Sequence, residues 1–213
     1  ITLKNVKKEY GKNQVLFENL SLEIEKGEFV GFVGKSGAGK TTLLNIIGLI
    51  TDISEGTITI DGHQNLSMNG KNAMILRRYT IGYLFQNYGL IEDESVLWNL
   101  KLALEYKKIK REEKLKLINK YLKQFELNDM LNKKVYQLSG GEQQRIAIIK
   151  LILQGSQIIL ADEPTSGLDK ENELIVMKLL KELNEKGITI IMVTHNMNLC
   201  DCFSRVINVE NFR

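Results

Sequence analysis

The segment GKSGAGKT at residues 34–41 is the feature that most constrains the fold of this chain. It matches the pattern G-x-x-x-x-G-K-[ST], whose glycines let the backbone wrap around phosphate oxygens and turn successive N–H groups inward. Apolar residues 29–33 precede it, as expected for a strand buried on both faces, and residues 41–50 follow with a helical pattern. A phosphate loop in this setting predicts an α/β fold with a mostly parallel sheet.

Two side chains at the end of the loop suit a nucleotide phosphate. Lys40 is expected to reach the β- and γ-phosphates, and the Thr41 hydroxyl is expected to ligate Mg²⁺. The helix that starts near Lys40 adds the positive end of its dipole. The residues predicted to bind the nucleotide here are Gly34, Lys35, Ser36, Gly37, Ala38, Gly39, Lys40, Thr41 and Thr42.

A second strand supplies carboxylates for the same site. Residues 158–161 are apolar and are followed by Asp162 and Glu163. Asp162 is predicted to hold Mg²⁺, and Glu163 to orient or activate the attacking water. An isolated acidic pair at a strand end is more commonly a turn cap, but the phosphate loop favours the catalytic interpretation. Together the two motifs predict a P-loop NTPase core.

The first part of the chain has a different pattern from the core. Residues 1–24 alternate apolar and polar side chains around a turn at 10–13, which predicts an N-terminal antiparallel β subdomain. Residues 56–61 and 81–86 are further strand candidates. The polar stretch at 67–71 carries no predicted element.

A helical insert interrupts the core. From residue 95 to about 134 the sequence is rich in lysine, glutamate and leucine, and Glu112 and Glu113 suit a helix N-terminus. The apolar face of this helix is predicted to contain Leu115, Ile118, Leu122 and Phe125. We expect one domain over residues 1–213, with an α-helical subdomain at about 88–137.

The parallel core resumes after the insert. Helices are expected at 142–153 and 171–185, and strands at 158–161 and 188–193.

Composition limits the partners. The 213 residues carry a net charge of only +3 with basic residues spread along the chain, so no nucleic-acid partner is expected. No apolar run approaches the roughly 18–20 residues of a membrane helix, and no signal peptide is expected at the start. Cys200 and Cys202 are predicted to be reduced, buried thiols, since neither a disulfide framework nor a metal site is supported. This composition fits the cytoplasm.

The segment LSGGEQ at residues 138–143 resembles the signature motif of ABC-type ATPases. The resemblance covers essentially the whole chain and implies a role for four further residues. Tyr10 would stack on adenine, and Gln86 would reach Mg²⁺ and sense the γ-phosphate. Asp169 would belong to the loop called the D-loop, and His195 would contact the γ-phosphate. With Glu163 and Lys40, His195 completes the predicted catalytic set.

The resemblance also implies an ATP-dependent homodimer. In this family two subunits enclose two ATP molecules, and the signature loop of one covers the γ-phosphate held by the other. Here that loop would bind through Ser139, Gly140, Gly141 and Glu142. The chain departs from the family pattern at residues 149–151 and 155–156, where we expect altered packing rather than lost activity.

Residues 43–48 and 81–88 look like those of the lipoprotein, macrolide and bacteriocin exporter group. This resemblance implies an ATPase, peripheral on the cytoplasmic face of the membrane, that powers export of a peptide, bacteriocin, lipid-linked or drug-like substrate. The substrate would cross through separate integral membrane permease subunits. Residues 87–98 and the helical insert are the expected permease contact, with Trp98 predicted to be core instead.

Two alternatives stay open at this point. The same motor could transmit ATP-driven dimerisation to a membrane protein without transport. A soluble ATPase of DNA repair or translation is disfavoured by the near-neutral charge and by a single ATPase domain without a coiled-coil insertion. A P-loop kinase does not fit the signature motif.

Overall fold

The structure is a computed structural model that describes residues 1–11 and 14–212. The predicted turn at 10–13 includes residues 12 and 13, which lie outside this range. The strands are β1 (Thr2–Tyr10), β2 (Gln14–Glu23), β3 (Phe29–Val33), β4 (Glu55–Thr59), β5 (Ile81–Leu84), β6 (Ile158–Asp162), β7 (Thr189–Val193) and β8 (Arg205–Asn208). The α-helices are α1 (Lys40–Ile47), α2 (Lys71–Tyr79), α3 (Val96–Ala103), α4 (Arg111–Gln124), α5 (Gly140–Gln154) and α6 (Lys170–Glu185).

The strands form two separate sheets. Strand β1 pairs antiparallel with β2 on one side and β4 on the other, as the alternating N-terminal pattern predicts. The other sheet has the order β5-β6-β7-β3-β8, and each of its pairs is parallel. The predicted α/β fold with a mostly parallel sheet and a separate antiparallel part is therefore confirmed.

The parallel sheet brings three chemical segments to one edge. Carboxyl ends of parallel strands lie at the same edge, where ligands of open α/β sheets bind. Phe32 in β3 pairs with Val193 in β7, and Asp162 at the end of β6 also pairs with Val193. The phosphate loop after β3, the carboxylates at the end of β6 and His195 after β7 consequently start from neighbouring positions.

Both faces of the parallel sheet are buried. Ile159 and Ala161 of β6 pack in a core that includes residues of α3, α5 and α6. Ile158 and Leu160 of the same strand pack in the other core, with α1 and the antiparallel sheet. Alternate side chains of a strand point to opposite faces, which explains why these core strands read as continuous apolar runs.

The helical insert differs in part from its prediction. Helix α4 buries Ile118 and Leu122, and Phe125 is buried just after it, while the Glu113 carboxylate accepts a hydrogen bond from the Lys110 N–H at 3.1 Å. Leu115 is 40% exposed, so its placement on the apolar face was wrong. The buried stripe of α4 begins at Ile118, one turn further into the helix.

Two elements lack a clear sequence signal. Helix α2 buries only Ala73 and Leu76 among polar neighbours, so its apolar face is too narrow to show as periodicity. Strand β8 has four residues without a buried side chain and is held by backbone pairing to β3. Neither was predicted.

Two predictions about burial were wrong. Trp98 is 37% exposed, because α3 turns Val96, Asn99 and Leu100 toward the core instead. Cys202 is exposed and Cys200 half-buried, since they lie in a surface 3₁₀ helix (Met197–Cys202) that buries only Leu199. Both thiols are free. Within the described part of the chain, no helix combines the length and the apolar character needed to span a bilayer.

Candidate nucleotide site

The loop after β3 depends on glycine for its backbone conformation. Gly34, Gly37 and Gly39 have φ angles of 142°, 74° and 95°, which L side chains rarely adopt. Gly39 caps the start of α1 in the left-handed conformation. The loop therefore turns directly from the buried strand into the helix, whose first N–H groups have no intrahelical partner and suit an anion.

Gly39→Ala is expected to destabilise the chain more than the same change at Gly187. Both glycines have a positive φ, which costs an alanine about 1–2 kcal/mol. A Cβ at Gly39 would also lie 2.8 Å from Phe17 Cζ, whereas at Gly187 it would meet no heavy atom within 4 Å. Overpacking adds about 1–3 kcal/mol to the Gly39 variant alone. Denaturant unfolding of both variants measures the loss in the free energy of unfolding. Equal losses would contradict the conclusion that close packing against Phe17 requires glycine at position 39.

Lys40 is the first residue of α1 and is 8% exposed. Its Nζ donates hydrogen bonds to the carbonyl oxygens of Gly34 at 2.8 Å and Lys35 at 2.9 Å. The ammonium thus lies inside the loop that it follows. A charged donor in that position can contact phosphate oxygens bound within the loop.

Thr41 and Asp162 meet across the sheet edge. The Thr41 hydroxyl donates to Asp162 Oδ1 at 3.2 Å. Burial raises the pKa of Asp162, and the nearby Glu163 charge also raises it, while the Thr41 hydrogen bond and the Lys40 charge oppose these effects. A partly desolvated carboxylate beside a hydroxyl is a pair of oxygen donors of the kind that Mg²⁺ prefers.

Glu163 and His195 form the second polar pair of the site. His195 Nδ1 lies 3.0 Å from Glu163 Oε2, within hydrogen-bond distance. Glu163 has a φ of 47°, and its N–H donates to the Val193 carbonyl at 3.0 Å. A positive φ at a non-glycine residue is uncommon and is held here by the surrounding structure.

Most of these groups line a cavity of about 450 Å³, a size typical of ligand pockets. Tyr10 lies at its rim and is 45% exposed, with Lys8 Nζ 4.8 Å from the ring centroid and Thr42 Oγ1 3.5 Å from the hydroxyl. The predicted site residues that line the cavity are Tyr10, Ser36, Gly37, Ala38, Gly39, Lys40, Thr41, Thr42, Glu163 and His195. Gln14 and Leu16 line it as well and were not predicted.

The other predicted residues lie outside this cavity lining. Gly34, Lys35 and Asp162 are directly connected to it through the bonds to Lys40 and Thr41. Gln86 is exposed two residues beyond the end of β5. The remaining ones are Ser139, Gly140, Gly141, Glu142 and Asp169, all at the starts of α5 and α6.

The signature residues form a capping box at the start of α5. Glu142 Oε2 accepts a hydrogen bond from the Ser139 N–H at 2.7 Å, and Ser139 Oγ accepts from the Glu142 N–H at 3.4 Å. The pattern S-x-x-E at residues 139–142 is the sequence signature of this capping box. The capping box gives Ser139 and Glu142 a structural role within their own chain.

Asp169 caps α6 in the same manner. Its carboxylate accepts hydrogen bonds from the backbone N–H of Asn172 at 2.8 Å and from the Asn172 side chain at 2.9 and 3.1 Å. These bonds lower the pKa of Asp169, the backbone one most. Asp169 is therefore fixed at the end of the loop that starts at Glu163.

Sequence reasoning missed two residues that support the site. Glu210 Oε1 accepts a hydrogen bond from the Lys35 N–H at 2.9 Å, and the buried Gln144 donates to the Pro164 carbonyl at 2.7 Å. Both contacts join segments far apart in sequence, so no local pattern could have indicated them.

The comparisons with known proteins agree with this geometry. A sequence profile described as "ABC transporter" matches residues 17–166. The chain is 41% identical over 211 residues to the macrolide export ATP-binding/permease protein MacB of Campylobacter jejuni, which covers 99% of this chain and 33% of MacB. It thus spans about a third of the length of that relative. It is also 41% identical over 214 residues to an uncharacterized ABC transporter ATP-binding protein, MJ1508 of Methanocaldococcus jannaschii, covering 99% and 96% of the two chains.

A solved structure shows the same fold. The ATP-binding cassette MJ0796, described as a dimeric post-hydrolysis state bound to ADP and Pi, matches with a TM-score of 0.88 and 39% identity. The match covers 97% of this chain and 93% of that one. A phosphate loop, a facing carboxylate pair and a signature turn on this fold, together with these relatives, lead to one assignment. The chain belongs to the ABC transporter family, as an ATP-binding cassette that hydrolyses ATP.

Proposed function

We propose that two copies of this chain enclose two ATP molecules, and that hydrolysis powers export through separate membrane permease subunits. The observation that carries this proposal is the position of the signature turn, residues 139–142, which does not line the cavity of its own chain. The N-terminus of a long helix suits a phosphate group, and the ATP bound by a second copy would supply that phosphate. The solved cassette described as dimeric supports this arrangement.

Within each site we assign separate tasks to the residues around the cavity. Tyr10 offers a flat face to adenine, and Lys40 with the loop N–H groups binds the phosphates. Thr41 and Asp162 would hold Mg²⁺, with Gln86 as a third ligand, and the ion would supply positive charge against the phosphate oxygens. The adjacent oxygen donors of Thr41 and Asp162 fit a cation there.

Glu163 is proposed as the general base. His195 Nδ1 occupies one carboxylate oxygen, Oε2, and thereby fixes the orientation of the group. The other oxygen, Oε1, can accept a proton from the attacking water. His195 can also contact the γ-phosphate through its second ring nitrogen.

Ser139→Arg is expected to prevent the ATP-dependent dimer while leaving ATP binding to the phosphate loop within about twofold. The new side chain would place bulk and positive charge on the signature turn, which we propose packs against the partner's nucleotide. Loss of an N-cap alone costs about 1 kcal/mol. Ser95→Arg removes the equivalent cap of α3, where Ser95 Oγ accepts from the Trp98 N–H at 3.1 Å, and controls for that loss. Light scattering with ATP compares the two variants, and an ATP-dependent Ser139→Arg dimer would contradict the proposal.

We propose that the permease contacts residues 87–98 and the helical subdomain, which we place at about residues 88–137, together with a groove beside them that includes Tyr88 and Gly89. The groove has a volume of about 430 Å³ and is lined by Tyr83, Phe85 and Tyr88 together with Arg77 and Lys150, among others. Tyr83 and Phe85 stack with ring centroids 4.2 Å apart. Burial lowers the pKa of Lys150, whose Nζ donates to the Gly89 carbonyl at 2.8 Å. An aromatic groove with two cations suits an amphipathic helix that carries a carboxylate.

The relatives named MacB support a membrane partner, because the name "macrolide export ATP-binding/permease protein" joins ATP binding and permease in one protein. That name includes macrolide export, and we extend export to a peptide, bacteriocin, lipid-linked or drug-like substrate for this chain. Such a cassette would lie on the cytoplasmic face of the membrane through its permease.

A pull-down tests the membrane partner. Tagged Glu163→Gln chain with ATP is incubated with detergent-solubilised membranes of its own host, and captured proteins are identified by mass spectrometry. We expect a multi-spanning protein, which Phe85→Asp in the groove loses and Leu174→Asp, at an exposed leucine of α6, keeps. Ribosomal or DNA-repair proteins without a membrane partner would contradict the transport proposal.

A further inference from the structure

We propose that Gln144 is a positioning residue that ties the loop of residues 163–169 to helix α5, and so fixes Glu163 relative to the signature turn of the same chain. The inference rests on the proposed role of Glu163 and adds a residue that none of the sequence motifs assigned to chemistry. It also provides a physical connection between the Glu163 carboxylate, which is proposed to activate water, and the signature turn, which is proposed to contact the second copy.

Gln144 holds the first end of the 163–169 loop. Its side chain is fully buried, and Nε2 donates a 2.7 Å hydrogen bond to the carbonyl of Pro164, the residue directly after Glu163. Its Oε1 has no hydrogen-bond partner within residues 1–11 and 14–212. A buried amide whose acceptor has no partner costs free energy. If the side chain served only to pack the core, an apolar residue would be more stable at this position. The amide is therefore better explained by its bond to the loop.

Arg145, the next residue, holds the other end. Its Nη1 donates to Asn172 Oδ1 at 3.0 Å, and Asn172 donates to Asp169, the last residue of the loop. The signature residue Gly141 packs directly on the same asparagine, because a Cβ at that position would overlap the Asn172 side chain. The first turns of α5 thus contact the far end of the loop through one residue.

Both ends of the 163–169 loop are consequently attached to a single helix. Helix α5 runs over Gly140–Gln154 and starts at the signature turn, so a displacement of that turn must move the loop or break these bonds. In the proposed dimer, ATP bound to the second copy would contact the signature turn of the first. Gln144 then couples ATP binding by the second copy to the position of Glu163 in the first copy's own ATP site.

Gln144→Met is the variant that isolates this bond. Methionine has a similar length and removes the unpaired acceptor, while the buried Pro164 carbonyl loses its donor at a cost of about 1–3 kcal/mol. We expect the ATP turnover number to fall about 10- to 100-fold through misplacement of Glu163, with the Kd for ATP unchanged within about twofold. Asn184→Leu is the matched control, because Asn184 Nδ2 also donates to loop carbonyls, of Gly27 and Ile188, at the opposite end of α6. It is expected to lower Tm but to keep the turnover number.

Gln144→Glu provides a second readout that a packing role would not produce. A buried carboxyl has a raised pKa, and its protonated form can donate to the Pro164 carbonyl again, whereas the ionised form cannot. The ratio of the variant's turnover number to that of wild type is therefore expected to rise between pH 8 and pH 6. This variant also decides the question if Gln144→Met folds poorly.

Three results would overturn the inference. They are a folded Gln144→Met with at least half of the wild-type turnover, a loss of turnover matched by an equal loss of ATP affinity, or a pH-independent Gln144→Glu ratio. Failure of the proposed function would look different, because Glu163→Gln would then retain turnover as well. If Glu163→Gln loses turnover while Gln144→Met does not, only the positioning role is wrong.

Discussion

Glu163→Gln will lower the ATP turnover number by about 10²–10⁴-fold, the usual contribution of a general base. Glutamine keeps the size of the side chain and can still bond to His195, but it cannot accept a proton from water. ATP affinity is expected to stay within about twofold, because the phosphate loop is untouched. Phosphate release at saturating ATP measures the turnover, and binding of a fluorescent ATP analogue measures the affinity.

The matched control is Glu113→Gln. Glu113 is an exposed capping-box carboxylate of α4, and glutamine can accept the same hydrogen bond from the Lys110 N–H. Its turnover number is expected to equal that of wild type. Turnover of the Glu163→Gln variant within threefold of wild type would show that another group activates the water.

Lys40→Ala will weaken ATP binding by about 10²-fold or more. A hydrogen bond from a charged group contributes about 1.5–3 kcal/mol, and the ammonium within the loop can donate to two phosphates. Titration calorimetry with ATP measures the loss of affinity, and thermal unfolding without ATP shows whether the variant is folded.

Lys71→Ala is the matched control for this change. Lys71 is also the first residue of a helix and also follows a glycine cap, Gly70, but it is exposed. It lies outside the cavity lining, so its removal is expected to leave the Kd unchanged. Wild-type affinity in Lys40→Ala would contradict the assignment of residues 34–41 as the phosphate site.

The sequence predicted the parts of the site that depend on local order along the chain. Glycines at 34, 37 and 39 are needed because the backbone has a positive φ there, and a strand and a helix flank them as expected. Asp162 ends an apolar strand and Glu163 follows it, and parallel pairing places both at the same edge of the sheet as the loop. Local chemistry and the rule for parallel sheets were sufficient for this.

Predictions from the sequence were less reliable for side chains whose burial depends on tertiary packing. Trp98 resembles a core residue by type, yet the core face of α3 is set by Val96 and Leu100, and the indole stays exposed. Leu115 has helical spacing with Ile118 and Leu122 but lies beyond the buried stripe of α4. Periodicity locates a helix, but it does not show where the neighbouring elements stop covering it.

Contacts between distant segments could not be predicted at all. Gln144 directly follows the signature motif at residues 138–143 and was given no role, and its bond to Pro164 joins α5 to the loop after β6. The same holds for Glu210, whose carboxylate accepts from the Lys35 N–H across 175 positions of the chain. Such contacts position the reactive groups without any signature of their own.

The mass of the Glu163→Gln chain with and without ATP and Mg²⁺ shows whether two copies share the ATP sites. We expect the mass of one chain without nucleotide and twice that mass with ATP, because slow hydrolysis would keep both nucleotides enclosed between two signature turns. Ser139→Arg added to the same chain should return the mass to that of one chain. A Glu163→Gln chain that binds ATP and stays monomeric at all concentrations would contradict the shared site.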